Sequence, residues 1–170
     1  MVIRHLEQAD IQSFIAIRRE ALELEPLAFV ASPSSDVGLD EDFLRRAIDR
    51  TSSQAVFGVW SDELVGFVGA YRYPKEKEAH KAGIWGMYVS PPCRGRGLGA
   101  ALLGGAVDFV RSLPGVTRIV LSVSETSEAA LRLYLRAGFE IWGTERDAIR
   151  VGERRVAVHY MVLEVAALGD

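Results

Sequence analysis

One stretch of the sequence has the residue types of a ligand loop. Val89-Ser90-Pro91-Pro92-Cys93-Arg94-Gly95-Arg96-Gly97-Leu98-Gly99-Ala100 ends an apolar run, turns through two prolines, and alternates glycine with other residues where a helical pattern begins. Glycines let a backbone come close to a ligand, and the free N–H groups and positive dipole end at the start of a helix favour phosphate oxygens. The expected chemistry is the cradling of a pyrophosphate, set against the plainer reading of a glycine turn that only permits tight packing. Gly95-x-Gly97-x-x-Ala100 also fits a loose dinucleotide fingerprint, but that pattern needs an acid about twenty residues on. Arg118, Ile119 and Val120 stand there instead, and no Gly-Lys-Ser/Thr supplies a Walker loop.

The elements that must position this loop read as alternating strands and helices. Val2 to Leu6 has strand character, and Ile11, Phe14, Ile15, Arg18, Ala21 and Leu22 recur at helical spacing until Pro26. Leu27 to Ser35 turns Ser/Pro-rich and reads as a loop, and a second helix capped near Asp40 carries Phe43, Leu44, Ala47 and Ile48. Gln54 to Trp60 and Leu64 to Tyr73 flank Ser61-Asp62-Glu63 as a hairpin, and a strand from Ala82 to Val89 stops at Pro91-Pro92. Leu98, Ala101, Leu102, Gly105, Ala106, Phe109, Val110 and Leu113 then give the strongest helical period, ended by Pro114-Gly115. Val116 to Val123 is a strand, and a helix through Ala130, Leu133, Tyr134 and Ala137 closes on Gly138 as its C′ residue. Phe139 to Gly143 and Arg155 to Val165 are the last two strands. The predicted fold is mixed α/β (α+β), a central, mostly antiparallel sheet of about seven strands flanked by four helices. No repeat or linker divides the chain, so residues 1–170 are expected to form a single domain.

Composition narrows the function. The 170 residues are 49% hydrophobic and 25% charged, the ordinary balance of a globular domain. Lys plus Arg is 20 and Asp plus Glu is 23, a net charge of −3, with a pI of 5.7, which argues against nucleic acid as a partner. It leans instead toward a cationic small-molecule partner. The lone Cys93 excludes an intramolecular disulfide and a cysteine zinc site, and His5, His80 and His159 have no ligand spacing, so no metal is expected. There is no signal-like leader and no run of ~18 apolar residues, so no membrane role is expected and the cytoplasm is the expected compartment.

Arg94-Gly95-Arg96-Gly97-Leu98-Gly99 after a Val-Ser-Pro strand end, followed by Ala130-x-x-Leu133-Tyr134-x-x-x-Gly138-Phe139, resembles the GNAT superfamily of acyl-CoA-dependent N-acyltransferases. The resemblance is close from about Ala82 to Phe139 and holds in element order alone before that. It implies that Arg94, Gly95, Arg96, Gly97, Leu98, Gly99 and Ala100 wrap the pyrophosphate of coenzyme A with backbone amides. It implies too that the preceding strand splays from its neighbour, so that the main chain of Met87, Tyr88 and Val89 meets the pantetheine arm and the thioester carbonyl. Backbone N–H groups so aimed stabilise an oxyanion. Tyr134 stands where the family keeps a tyrosine that protonates the departing thiolate.

The family pattern also breaks in places. Ser127 occupies a position where the family often has an asparagine contacting coenzyme A; a serine there can cap the helix or reach the ligand. Ser122 stands where relatives that acetylate protein N-termini carry a glutamate, so the general base is unassigned, with Glu76, Glu78, Glu125, His80 and His159 able to act only through water. Acceptor selection in such folds commonly falls to the first two helices and their connection, here Arg18, Arg19, Leu27, Phe29 and the serine-rich loop, together with the last two strands, with Leu27 and Phe29 as an apolar wall. The resemblance implies an N-acetyltransferase that moves an acetyl group from acetyl-CoA directly to a primary amine on a small molecule or a peptide N-terminus. Pairing into a homodimer is left open. The rival reading is a non-catalytic acyl-CoA-binding sensor module, and a nicotinamide-dependent oxidoreductase is a third.

Overall fold

Seven strands join one sheet in the computed structural model, which describes residues 1–48 and 53–166. In chain order the elements are β1 (Val2–His5), α1 (Ile11–Leu24), α2 (Glu41–Ile48), β2 (Gln54–Trp60), β3 (Leu64–Arg72), β4 (Lys81–Val89), α3 (Leu98–Arg111), β5 (Arg118–Ser124), α4 (Glu128–Arg136), β6 (Glu140–Val151) and β7 (Arg154–Glu164), joined in places by single 3-10 turns. The spatial order is β1-β2-β3-β4-β5-β7-β6, antiparallel throughout except between β4 and β5. This is the expected mixed α/β architecture.

Local chemistry sets the element ends. The Asp40 carboxylate accepts from the Phe43 amide at 2.6 Å, which caps α2 at the residue that the sequence points to. Gly138, at φ +91, ends the α4 segment in the left-handed conformation that a side chain would resist. The apolar stripe of α3, including Leu102, Ala106 and Val110, packs with Val68, Ala82, Ile119 and Met161 on one face of the sheet. On the other face, α1 and α2 bring Phe14, Ile17 and Leu44 against Phe67 and Tyr88. The sheet is therefore the middle layer of three.

One strand is longer than its sequence suggests. Periodicity ends the sixth strand at Gly143, yet β6 runs on to Val151 along β7. Residues 145–147 are charged, and the register shifts between Glu145 and Ile149, with Asp147 at φ +56. A bulge on an exposed ribbon breaks the period-two alternation that marks a strand. Leu27 folds onto this ribbon, against Ile149, Val156 and Val158.

Among the described residues no helix is long and apolar enough to cross a membrane.

Candidate active site

The sheet opens in one place. Lys81, Ala82 and Gly83 pair with Arg118, Ile119 and Val120, and there the parallel contact between β4 and β5 stops, although both strands continue. From Trp85 onward the β4 backbone faces β5 without a ladder partner on that side. A bulge sharpens the opening: the β3–β4 register shifts near Gly86, which sits at φ +71. Trp85 and Tyr88 pack on the α1 side, while Met87 and Val89 pack on the α3 side. The inserted residue thus reverses the facing of everything after it. Gly86 is suited to the turn because a Cβ there would be strained at positive φ and would lie 3.0 Å from the Phe67 ring.

The glycine loop lies at the end of β4. Gly95 and Gly97 have φ of +76 and +78, and a Cβ on either would project into open space. Gly97 opens α3, so the amides of Leu98, Gly99 and Ala100 have no carbonyl one turn earlier to bond. Leu98 itself is buried and anchors the helix start. The side chain of Arg94 folds back. Its Nε donates to the Val89 carbonyl at 2.8 Å and its guanidinium pairs with Glu25 at 2.9 Å, tying the loop to β4 and to the end of α1, while Arg96 is exposed.

Tyr134 is buried on α4, its ring edge-on to Phe139 at 5.9 Å between centroids. Burial pushes its phenol above the ordinary tyrosine range, so it holds its proton at neutral pH. The hydroxyl has no hydrogen-bond partner among the described residues and is not sealed from solvent. Ser127 precedes α4, but its side chain does not form the expected cap bond. The turn there is held otherwise, by the Ser124 hydroxyl on Thr126 and by the Ser127 amide donating to the Ser124 carbonyl at 2.9 Å. The Ser127 hydroxyl is left uncommitted.

On the α1 side of the same opening is a cleft of about 640 Å³ walled by Tyr71, Tyr73, Trp85, Trp142 and Tyr160, with Ser122 at its β5 edge. Two glycines make the walls possible. Trp85 lies flat across its cross-strand partner Gly69, where a Cβ would be 2.0 Å from the indole, and Tyr71 lies across Gly83, where it would be 2.5 Å from the phenol ring. No carboxylate lines the cleft among the described residues. Carboxylates beside it, Glu145 and Glu78, are held in hydrogen bonds by the lining residues Tyr160 and Lys81. Lys81 and Arg118 are present, each paired outward to a glutamate, Glu78 at 2.7 Å and Glu164 at 2.6 Å. Tyr71 is pushed up to about 12 by burial and by Tyr73, and Tyr160 is raised by its hydrogen bond to Glu145. These phenols remain protonated near neutrality.

Three of the five water-linked bases suggested by the sequence are already engaged. Glu125 accepts from the Ala157 amide, Glu78 holds Lys81, and His159 bonds Thr144. Sequence reasoning missed Glu20: it is one polar residue among several on α1, yet it accepts from both the Tyr88 and the Ser90 hydroxyls at 2.8 Å. Only the bulge, by turning Tyr88 toward α1, makes that meeting. Leu27 and Phe29 do not form one wall, because Leu27 goes to the β6–β7 ribbon and Phe29 covers Arg18.

A family model described as acetyltransferase (GNAT) family matches residues 16–139. The chain belongs to that family. It is thus an acetyltransferase of the acyl-CoA-dependent kind, and the match runs from within α1 through the splayed strand and the glycine loop to the end of α4. This acetyltransferase is 27% identical to the L-amino acid N-acetyltransferase AaaT of Escherichia coli K12 over 95% of its own length and 96% of that protein's. It is 39% identical to the N-alpha-acetyltransferase RimI of Mycobacterium tuberculosis over 52% of each. It is 32% identical to the mycothiol acetyltransferase of Salinispora tropica over 80 residues and spans only 26% of that longer protein. The fold matches that of the yncA protein of Salmonella typhimurium, solved with its cofactor acetyl-CoA, at a TM-score of 0.83 and 21% identity, covering 100% of this chain and 98% of that one.

Acetyl-CoA fits the donor side of this GNAT acetyltransferase. The open faces of Gly95 and Gly97 and the unbonded amides at the start of α3 form a cradle that a side chain would fill.

Proposed function

We propose that this chain, as a single N-acetyltransferase domain of the cytoplasm, transfers the acetyl group of acetyl-CoA directly to a primary amine of a small molecule or a peptide N-terminus. The observation that carries the reading is the parting of β4 from β5 beyond Gly83 and Val120, with the glycine loop at the end of β4 and the aromatic cleft beside the opening. Acetyl-CoA supplies the activated thioester. The amides from Gly95 to Ala100 hold its pyrophosphate, and the Ser127 hydroxyl is free to add a contact. The backbone of Met87, Tyr88 and Val89, without a ladder partner on the β5 side, offers N–H groups to the developing oxyanion. Tyr134 keeps its proton at Oη and gives it to the leaving sulfur. No carboxylate or histidine is among the described residues that line the cleft, so the amine loses its proton to water or reacts as the neutral form that a low amine pKa supplies. The names of relatives support an amine acceptor, for they include an L-amino acid, an N-alpha- and a spermine acetyltransferase.

Thermal unfolding with acetyl-CoA, coenzyme A and NAD in parallel tests the donor. Ligand at about 100 times its Kd adds ~2.7 kcal/mol, a rise of about 5–11 °C for a chain of this size. The expected result is a rise with the first two and none with NAD. An amine screen read by free thiol then separates transfer from mere sensing: binding without thiol release for any amine supports the sensor instead.

A further inference from the structure

Arg18 is a buried cation with a donor left over. It is 6% exposed, on the face of α1 that meets the sheet. Its Nε donates to Asp36 at 2.6 Å, and the other carboxylate oxygen of Asp36 is taken by the Gly38 amide at 2.8 Å. The guanidinium lies 4.7 Å from the Phe29 ring centre. Nη1 has no partner, and among the described residues it is the sole buried side-chain polar atom in that condition. A buried N–H without an acceptor forfeits its hydration for nothing, so each such group calls for an explanation.

The position of that donor supplies one. Nη1 is 3.9 Å from the point where a Cβ on Gly86 would stand. Gly86 is the bulge residue of β4, next to Trp85 in the wall of the cleft and to Met87, where the thioester is placed in the proposed reaction. One turn earlier on α1, Phe14 meets Trp85 edge-on at 6.4 Å, so the helix carries Arg18 directly past the cleft wall. A side chain at position 86 would press on the Phe67 ring, 3.0 Å from its Cβ, and stand beside the guanidinium, and glycine keeps that space open.

We propose that Arg18 donates, through Nη1, to an oxygen on the carbon next to the one bearing the acceptor amine. The acceptor class is then an α-amino acid or the N-terminal residue of a peptide, not a bare alkylamine. Phe29 is the ring that such an acceptor displaces to reach the donor. Asp36 keeps the guanidinium oriented by holding its Nε edge at 2.6 Å. This inference rests on the acetyl transfer proposed above.

The test uses three amines on one phenylethyl frame that bear a carboxylate, a carboxamide or hydrogen on the amine-bearing carbon, with an aromatic body to suit the cleft and rates compared per neutral amine: L-phenylalanine, L-phenylalaninamide and 2-phenylethylamine. With acetyl-CoA saturating and free thiol as the readout, the first two are expected to exceed the third in kcat/KM by at least about tenfold, the worth of one good hydrogen bond. A preference for the acid points to free amino acids, and an equal or greater rate with the amide points to peptide N-termini. In Arg18→Met, made with Asp36→Asn so that no carboxylate is buried alone, the three are expected to converge while the acetyl-CoA thermal shift is unchanged. Equal wild-type rates for all three, or a preference that survives in the double variant, overturns the assignment and leaves Arg18 as a pin between α1 and its following loop. So does a failure of the two oxygen-bearing amines to react when acetyl-CoA binds. A missing acetyl-CoA shift, by contrast, is the failure of the donor reading.

Discussion

A Tyr134→Phe variant is expected to keep its fold and its acetyl-CoA affinity and to lose kcat by roughly 10²–10⁴-fold, the usual worth of a positioned general acid. The ring fills the core edge-on to Phe139, and phenylalanine preserves that contact. The lost hydroxyl has no hydrogen-bond partner among the described residues, so little stability goes with it. The pH dependence adds a second check. Because burial raises the phenol above its ordinary value of about 10, the wild-type enzyme retains this acid across the neutral and mildly alkaline range. The deficit of the variant is therefore expected to be the same from about pH 6 to 9. Single-turnover thiol release measures it, and an unchanged rate would place the proton donor elsewhere.

The second large effect is expected at Gly97. With φ at +78, an alanine there pays the left-handed strain of about 1–2 kcal/mol in the folded protein. Nothing lies within 4 Å of the new Cβ, so there is no clash to add. That open space is where the proposed pyrophosphate approaches the backbone. Displacing two amide bonds to phosphate, each worth about 1.5–3 kcal/mol, weakens acetyl-CoA by at least about 100-fold. Gly152, in the turn between β6 and β7, is a matched control: its φ is +59 and its Cβ direction is also clear. Gly152→Ala should lose comparable stability and leave acetyl-CoA binding intact. Titration calorimetry of both variants separates strain from ligand contact, and equal affinities would show the loop to be a packing turn.

Much of this molecule is local, and what is local can be read from the chain. The period of α3, the Asp40 cap, the stop at Pro91-Pro92 and the C′ role of Gly138 depend on residues within a few positions of one another. The Arg94–Ala100 loop is of the same kind, since glycine spacing and an adjoining helix start are sequence properties, and they are what the proposed pyrophosphate site is made of. The β6 ribbon was not legible beyond Gly143, because a bulge and surface charge remove the alternation that identifies a strand.

The reacting geometry is not local. The family resemblance implied a splay, but where β4 leaves β5 depends on which strand carries Gly86, since the inserted residue sends Met87 to one face and Tyr88 to the other. Glu20 meets Tyr88 and Ser90 from about seventy positions away, and no period could disclose it. The aromatic cleft likewise needs Gly69 beneath Trp85 and Gly83 beneath Tyr71, which is a matter of cross-strand register. By itself, then, the sequence determined the order of the elements, most of their ends and the glycine loop, because backbone conformation and capping are settled over short range. The cleft walls and the unpartnered donor of Arg18 were decided by tertiary structure alone, because they exist only where α1, β3, β4 and β5 are brought together by packing.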